Sequence, residues 1–518
     1  MTDRSRVIVV GLDGASWDVL DPLMARGLMP NLSDLASSGA RDRLMSTYPG
    51  WTPPGWTSIT TGLNPGHHGI LYATRAVEGA YPDSIPGGVQ GPAITGADVH
   101  GAPMWRVLSA AGRRVCVLLV PLTYPPEAVN GTLVSGMFRP REATDYAYPP
   151  ETLGPDRWRF DPEMVLRGGD ARHDDPAEVA RSLREICEEN ARGFSDHLHR
   201  EPWDLFFGVF MAPDRVGHYF WERMVRLGAS GPADEIDRDI EAIWRTIDGF
   251  LGQAAAERDR GATVVIVSDH GSGPAPRERV NVLRAMEEAG LLRVKRTGWR
   301  RQPVLPPRFD WARTAAFPIF MGDLYIVGVA VNERGRWPNG SVDPKDADGV
   351  ADRAERALRA LRDAGGRPVV TTVHRAADVY RGPFAARFPD LLVEFDPRYM
   401  AGGRSPVGPR FVPHRGDDTE WGSHRQEGIL VLSGPGVRGG GFERMPHVED
   451  VAPTALRLLG LSFADPVDGR VLEEVLEPRE VAAAPAVPAA LDASRREPAS
   501  PEEEAEIEGM LRGLGYIE

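Results

Sequence analysis

Four short apolar runs restrict the fold of this 518-residue chain more than any other feature. Val7–Gly14 reads V-I-V-V-G-L-D-G, Leu205–Met211 reads L-F-F-G-V-F-M, Gly261–His270 reads G-A-T-V-V-I-V-S-D-H, and Gly428–Ser433 reads G-I-L-V-L-S. None alternates apolar with polar residues, so each is expected to be buried on both faces, as in a parallel sheet covered by helices. Each run also lies within a few residues of a carboxylate or a histidine. Asp13 follows the first, Asp214 and His218 the second, and Asp269-His270 ends the third. His424 precedes the fourth. In a doubly wound sheet the carboxyl ends of the strands open onto one crevice. The pattern predicts an α/β fold, a mostly parallel sheet between helices, with three carboxylates and three histidines gathered at one edge.

The remaining segments fit around that sheet. Arg114–Val120 and Gly131–Gly136 read as further strands, and Trp105–Ala111, Asp175–His199, Asp234–Glu257 and Val451–Leu459 as helices. Asn31 reads as the cap of a short helix that stops at Gly39. Residues 137–169 are rich in Pro, Tyr and Arg without periodicity, and read as a loop or small cap. Residues 1–272 and 422–479 are expected to be two parts of one core. Between them, 273–421 reads as an inserted cap or lid, with an apolar run at Leu324–Val331 and a helix at Val350–Ala364. An Ala/Pro-rich linker begins at Glu480 and leads to an acidic helix at Pro501–Leu514, so 480–518 form a separate tail.

The stretch Pro49–Ile70, P-G-W-T-P-P-G-W-T-S-I-T-T-G-L-N-P-G-H-H-G-I, supplies what the carboxylates and histidines lack. Thr52 stands before Pro53-Pro54 and a helical segment. Proline is tolerated in a first helical turn, where its missing N–H has no intrahelical partner. The hydroxyl is thereby set at a helix N-terminus, which favours an anion. Threonine is a poor nucleophile at neutral pH unless a base or a metal activates it. Mixed Asp/His sets bind zinc or manganese, and two metals about 3.5–4 Å apart suit in-line phosphoryl transfer.

Composition narrows the partners. A net charge of −14 argues against a nucleic-acid polymer, which requires a basic surface. The two cysteines, Cys116 and Cys187, give no disulfide framework and fit a reducing compartment. Met1–Arg6 runs directly into the first strand, and no apolar run reaches the roughly 18–20 residues of a membrane span. A cytoplasmic protein without a membrane partner is expected.

With V-G-L-D-G, M-P-N-L, T-P-P-G-W-T-S-I-T-T-G-L-N-P-G-H-H-G-I, D-R-V-G-H, S-D-H-G and G-S-H-R in place, the chain resembles the alkaline phosphatase superfamily, in particular its type I phosphodiesterase/nucleotide pyrophosphatase branch. These motifs extend from Val7 to about Gly469. The resemblance implies an alkaline-phosphatase-like core and a hydrolase acting on phosphodiester or pyrophosphate bonds of small, nucleotide-like substrates. It implies two divalent ions, zinc or alternatively manganese. Asp13, Thr52, Asp269 and His270 would hold one, and Asp214, His218 and His424 the other. Thr52 would be the catalytic nucleophile and form a phosphothreonine. Eukaryotic members commonly carry an Asn donor at the third position after the Thr, where this chain has Gly55, and Pro53 and Pro54 lack N–H groups. The metals or the Gly55 amide would then carry more of the phosphoryl charge.

The alternative use of the same site is as a phosphomonoesterase or phosphomutase. A sulfatase would place Cys or Ser at the nucleophile, and a scaffold protein would not need all seven family positions filled with competent residue types. Other residues receive structural readings. His67-His68 shape the turn after the nucleophile helix, Thr57 and Ser58 bond back to the backbone, and Trp51 and Trp56 pack. Asp450, just after His447, caps the helix that follows. Gly271-Ser272-Gly273 is a turn, Arg296–Arg301 a solvated face, and His414 either a substrate contact or a surface residue.

Overall fold

The computed structural model describes residues 5–77, 79–82, 89–141, 143–153, 175–200, 202–295, 309–321, 325–403, 406, 408–413, 421–487 and 499–513. The chain divides into two compact units, one within Met1–Ile70, Ile94–Pro274 and Glu420–Ile517, the other within Leu71–Ala93 and Ala275–Thr419.

The strands of the first unit are β1 (Arg6–Leu12), β2 (Ala40–Met45), β3 (Val115–Val120), β4 (Gly131–Ser135), β5 (Ala147–Tyr148), β6 (Leu205–Phe210), β7 (Ala262–Val267), β8 (Gly271–Pro274), β9 (Gly422–Arg425) and β10 (Glu427–Ser433). Among the described residues, eight of them form one sheet in the order β2-β10-β7-β1-β6-β3-β4-β5. The inner run from β7 to β4 is parallel, and the edge strands β2, β10 and β5 pair antiparallel to their neighbours.

Helices cover both faces: α1 (Trp17–Ala25), α2 (Pro30–Ser37), α3 (Thr52–Thr61), α4 (Pro65–His68), α5 (Met104–Ala110), α6 (Pro176–Arg200), α7 (Ala212–Ser230), α8 (Glu235–Arg258), α9 (Val451–Leu458) and α10 (Pro501–Gly513). Side chains alternate across each strand, so one strand serves both layers. Ile8, Val10, Phe206 and Phe210 join a core with Phe194 of α6 and Phe250 of α8. On the opposite face, Phe207 meets Trp56 of α3 and Trp105 of α5, each with ring centroids 6.3 Å away. This explains why the inner strands carry no polar face.

Several local expectations are corrected. Asn31 does not cap α2 but sits inside it; Asp248 of α8 receives the N–H groups of Asn31 and Leu32 instead, at 3.2 and 2.9 Å. A distant carboxylate thus replaces the local cap. Gly271-Ser272-Gly273 is no turn: these residues form β8, which pairs antiparallel with β9 and places Ser272 opposite His424. The linker begins tied down, because Ala482–Ala483 pairs with Leu461–Ser462; 488–498 lie outside the described residues. Helix α10 docks within the first unit, burying Ile507 and Leu511, and Glu503 accepts a 2.5 Å hydrogen bond from the Tyr124 hydroxyl.

The second unit contains a four-stranded antiparallel sheet in the order Ala316–Phe320, Ile326–Val331, Leu391–Phe395, Val370–Arg375. The amphipathic helix Ala347–Arg359 buries Val350, Ala351, Ala354 and Leu358. Tyr81 belongs to this unit, stacked on Trp311 at 3.6 Å and donating its hydroxyl to Asn332. Of the sequence candidates, Arg296–Arg301 and His414 lie outside the described residues.

Candidate active site

The parallel strands β1, β6 and β7 end side by side. Asp13 follows β1, Asp214 enters α7 directly after β6, and Asp269-His270 follow β7. His424 precedes β10, but β10 runs antiparallel to β7, so its beginning lies at the same edge as the end of β7. The β8–β9 ribbon carries His424 back to that edge, with its ring centroid 4.3 Å from that of His270. Asp214 and His218 stand one helical turn apart on α7 and share a face. The helix leaves helical geometry at Phe220, immediately beyond them.

Thr52 is the first residue of α3, preceded by extended Trp51 and followed by both prolines in the first turn. Its hydroxyl is buried and lies 3.4 Å from Nε2 of His270. The same nitrogen is 3.3 Å from Oδ2 of Asp269 and 3.7 Å from Oδ1 of Asp13. On the other side, Nε2 of His218 and Nε2 of His424 are 3.0 Å apart, and Asp214 Oδ1 is 3.3 Å from the former. All seven sequence candidates are therefore brought together.

Among the described residues, two triads of side chains could hold a metal ion: Asp214, His218 and His424, and Asp13, Asp214 and His270, each with ligand atoms within 4.8 Å of one another. Asp214 belongs to both. The carboxylates fit a cation on independent grounds. Asp13 Oδ1, both oxygens of Asp214 and Asp269 Oδ2 are buried and accept no hydrogen bond. Buried carboxylate oxygens without a partner are strongly disfavoured unless protonated or neutralised. Burial, and then the Asp269 and Asp214 charges, push Asp13 well above the usual carboxylate range. Burial and Asp214 do the same to Asp269. Burial also acts upward on Asp214, but His218, Arg215 and His424 outweigh it and hold it below the usual range. His424 is pushed well below the usual imidazole value by burial and by His270 and His218. Imidazole nitrogens beside buried carboxylate oxygens that accept no hydrogen bond make a coherent donor set for divalent cations.

Backbone and hydroxyl groups lock these side chains. Gly14 N–H donates to Asp269 Oδ1 at 3.2 Å, and Ser46 Oγ to the Asp269 carbonyl at 2.5 Å. Ser272 donates to the Gly14 carbonyl. Gly14 adopts φ +65°, and a Cβ there would lie 2.9 Å from Asp214 Oδ1, so glycine is required for both conformation and space.

Sequence reasoning missed one contact entirely. Trp56 is more than packing: its indole Nε1–H donates to Asp13 Oδ2 at 2.6 Å. Its spacing from Thr52, one helical turn along α3, was the available signal. Thr57 does bond back to Pro53, whereas Ser58 pairs with His68 Nε2 at 3.1 Å. His68 Nδ1 accepts from Ile70 N–H, and burial lowers its pKa to about 3, so it is a neutral turn-shaping group. His67 pairs with Asp468 at 2.7 Å. Asp450 gives α9 no side-chain cap; it receives His447 N–H and Arg470 N–H. The Gly55 amide is committed to the Trp51 carbonyl at 3.1 Å, which removes it as a phosphoryl donor.

The fold resembles that of phosphonoacetate hydrolase from Sinorhizobium meliloti 1021 in complex with phosphonoacetate, at 17% identity and a TM-score of 0.55, covering 88% of this chain and 96% of that one. Murine ectonucleotide pyrophosphatase/phosphodiesterase 5 aligns at 14% identity and a TM-score of 0.49, over 91% of this chain and 100% of that one. No curated protein matches the chain in sequence. The family model for type I phosphodiesterase/nucleotide pyrophosphatase matches residues 7–416. The chain belongs to the type I phosphodiesterase/nucleotide pyrophosphatase family, divalent-metal-dependent hydrolases of phosphoester bonds within the alkaline phosphatase superfamily.

Proposed function

We propose that the chain cleaves phosphodiester or pyrophosphate bonds of small, nucleotide-like substrates through a covalent intermediate on Thr52, at a two-metal site. The observation that carries this reading is the burial of the Thr52 hydroxyl, at a helix N-terminus, in a site where three carboxylates keep buried oxygens that accept no hydrogen bond. Asp13, Thr52, Asp269 and His270 would hold one ion, and Asp214, His218 and His424 the other, with Asp214, a member of both triads, contributing to each. The mixed oxygen and imidazole donors suit zinc, with manganese as the alternative. When bound, the ions supply the positive charge that makes a hydroxyl and a water nucleophilic near neutral pH and that balances the phosphoryl oxygens.

The chain's residues do the rest. The N-terminus of α3 orients the Thr52 oxygen toward phosphorus and favours its anionic form. Attack forms a Thr52–phosphorus bond as the bond to the leaving oxygen breaks. Water then attacks phosphorus, releases the phosphate monoester and restores the hydroxyl. His218, the most exposed of the seven with 28% of its side chain accessible, marks the side from which water enters. No helix among the described residues is long and apolar enough to cross a membrane. Cys116 and Cys187 are buried thiols, which supports placement in the reducing cytoplasm.

The test compares hydrolysis of bis-p-nitrophenyl phosphate and p-nitrophenyl phosphate, with zinc or manganese, by wild type and Thr52→Ala. Diester turnover that disappears in the variant supports the proposal. Faster monoester turnover moves the assignment to a phosphomonoesterase or mutase. Undiminished turnover by Thr52→Ala overturns it.

A further inference from the structure

The two oxygens of Asp13 have different fates. Oδ2 accepts the Trp56 indole N–H at 2.6 Å, while Oδ1 is buried without a hydrogen bond and faces His270. An indole N–H can only donate, so it distinguishes the two oxygens permanently. The indole itself is fixed. It lies over Gly11 of β1, where any Cβ would collide with the six-membered ring, and tilts against Phe207 at 6.3 Å. Trp56 is fully buried and belongs to the same helix as Thr52, one turn further on. A single rigid turn of α3 therefore sets the Thr52 hydroxyl and the orientation of a carboxylate from another strand.

Resting on the function proposed above, we propose that Trp56 is a positioning residue for the Asp13-side metal ion. Its N–H fixes the Asp13 carboxylate so that Oδ1 alone is presented, in register with Thr52. Groups that orient a ligand from behind contribute about 10- to 100-fold to metal affinity or activity. The role is selective, because among the described residues the Trp56 donor reaches Asp13 directly and makes no hydrogen bond to Asp214, His218 or His424.

The experiment titrates zinc into chelator-stripped protein, following heat and stoichiometry. Wild type takes up two ions. Trp56→Phe loses the donor, together with the part of the indole that lies over Gly11, so one ion weakens by about 10- to 100-fold and the other stays within about twofold. Replacing Trp56 with β-(3-benzothienyl)alanine, which preserves the indole shape with sulfur in place of N–H, gives the same selective loss. In an Asp13→Asn background, Trp56→Phe adds nothing. Two ions binding the benzothienyl protein as tightly as wild type overturns the assignment, as does equal weakening of both ions, which marks a packing role. Failure of wild type to take up two ions overturns the proposed function as well, which separates the two failures.

Discussion

The two halves of the site are built differently. The half containing Asp13, Thr52, Asp269 and His270 is fully buried, fixed by the ends of β1 and β7 and the first turn of α3. Its side chains are held by Gly14 N–H and Trp56 Nε1–H, and Ser46 holds the backbone at Asp269. The half containing Asp214, His218 and His424 stands on a helix that loses helical geometry at Phe220 and on a short two-stranded ribbon. There His218 reaches solvent. Rigid framing suits the proposed nucleophile, because small displacements of a nucleophile reduce rate steeply. Access to solvent suits the half from which water would arrive in the proposed reaction. Asp214, common to both triads, joins them.

Breaking that joint has the largest expected effect. Asp214→Asn should weaken both ions together and lower turnover by more than the about 10- to 100-fold typical of an outer partner. Metal analysis after gel filtration, paired with diester hydrolysis, checks this; loss of one ion alone would show that Asp214 serves only one half. The next comparison sharpens the difference in access. His218→Ala and His270→Ala should each reduce turnover by on the order of 10²-fold. Added imidazole should restore part of the activity of the His218 variant and none of the His270 variant, whose native side chain is completely buried. Equal rescue of both would remove the distinction drawn between the halves.

The smallest effect lies at the far end of α3, away from either half. Asn64, just beyond the helix, donates to Glu449 at 3.4 Å. Burial, with Asp450 and Asp468 nearby, raises Glu449 to about 7 from an ordinary 4.5. The folded chain keeps this proton until about pH 7, whereas the unfolded chain releases it near pH 4.5. Glu449 therefore favours folding most below that lower value, and its contribution is lost as pH rises through about 7. Glu449→Gln should raise stability relative to wild type at pH 8, by about 1–2 kcal/mol, with little gain at pH 5. Denaturant melts at the two pH values measure it. The same gain at both would mean that the glutamate does not titrate in this range.

The strands were legible because burial on both faces is written locally, as in Val7–Val10 and Thr263–Val267, and needs no knowledge of partners. Asp13, Asp214 and Asp269-His270 were legible as a group because parallel strands end at one edge. His424 was less so. Its place depends on β10 running antiparallel to β7 and on the β8–β9 ribbon, and neither direction is encoded in G-S-H-R or G-S-G-P. The cap of α2 was misread because its acceptor, Asp248, comes from 217 residues away. Local side-chain chemistry favours Asn31 at that position; tertiary structure supplies a carboxylate instead. Ser58 left its own helix for His68 for the same reason. Tyr81 joins the second unit through stacking on Trp311, a contact with no periodic signature. Trp56 is intermediate: its turn-spacing from Thr52 was visible, but its partner Asp13 lies on a different strand.

The proposed covalent bond between Thr52 and phosphorus is tested most directly by mass spectrometry of enzyme acid-quenched during diester turnover. A phosphoryl adduct, still carrying one ester group, is expected on Thr52 within the peptide spanning α3, and none in Thr52→Ala. Rapid turnover with no adduct, or an adduct on Ser58 that persists in an active Thr52→Ala, would contradict it.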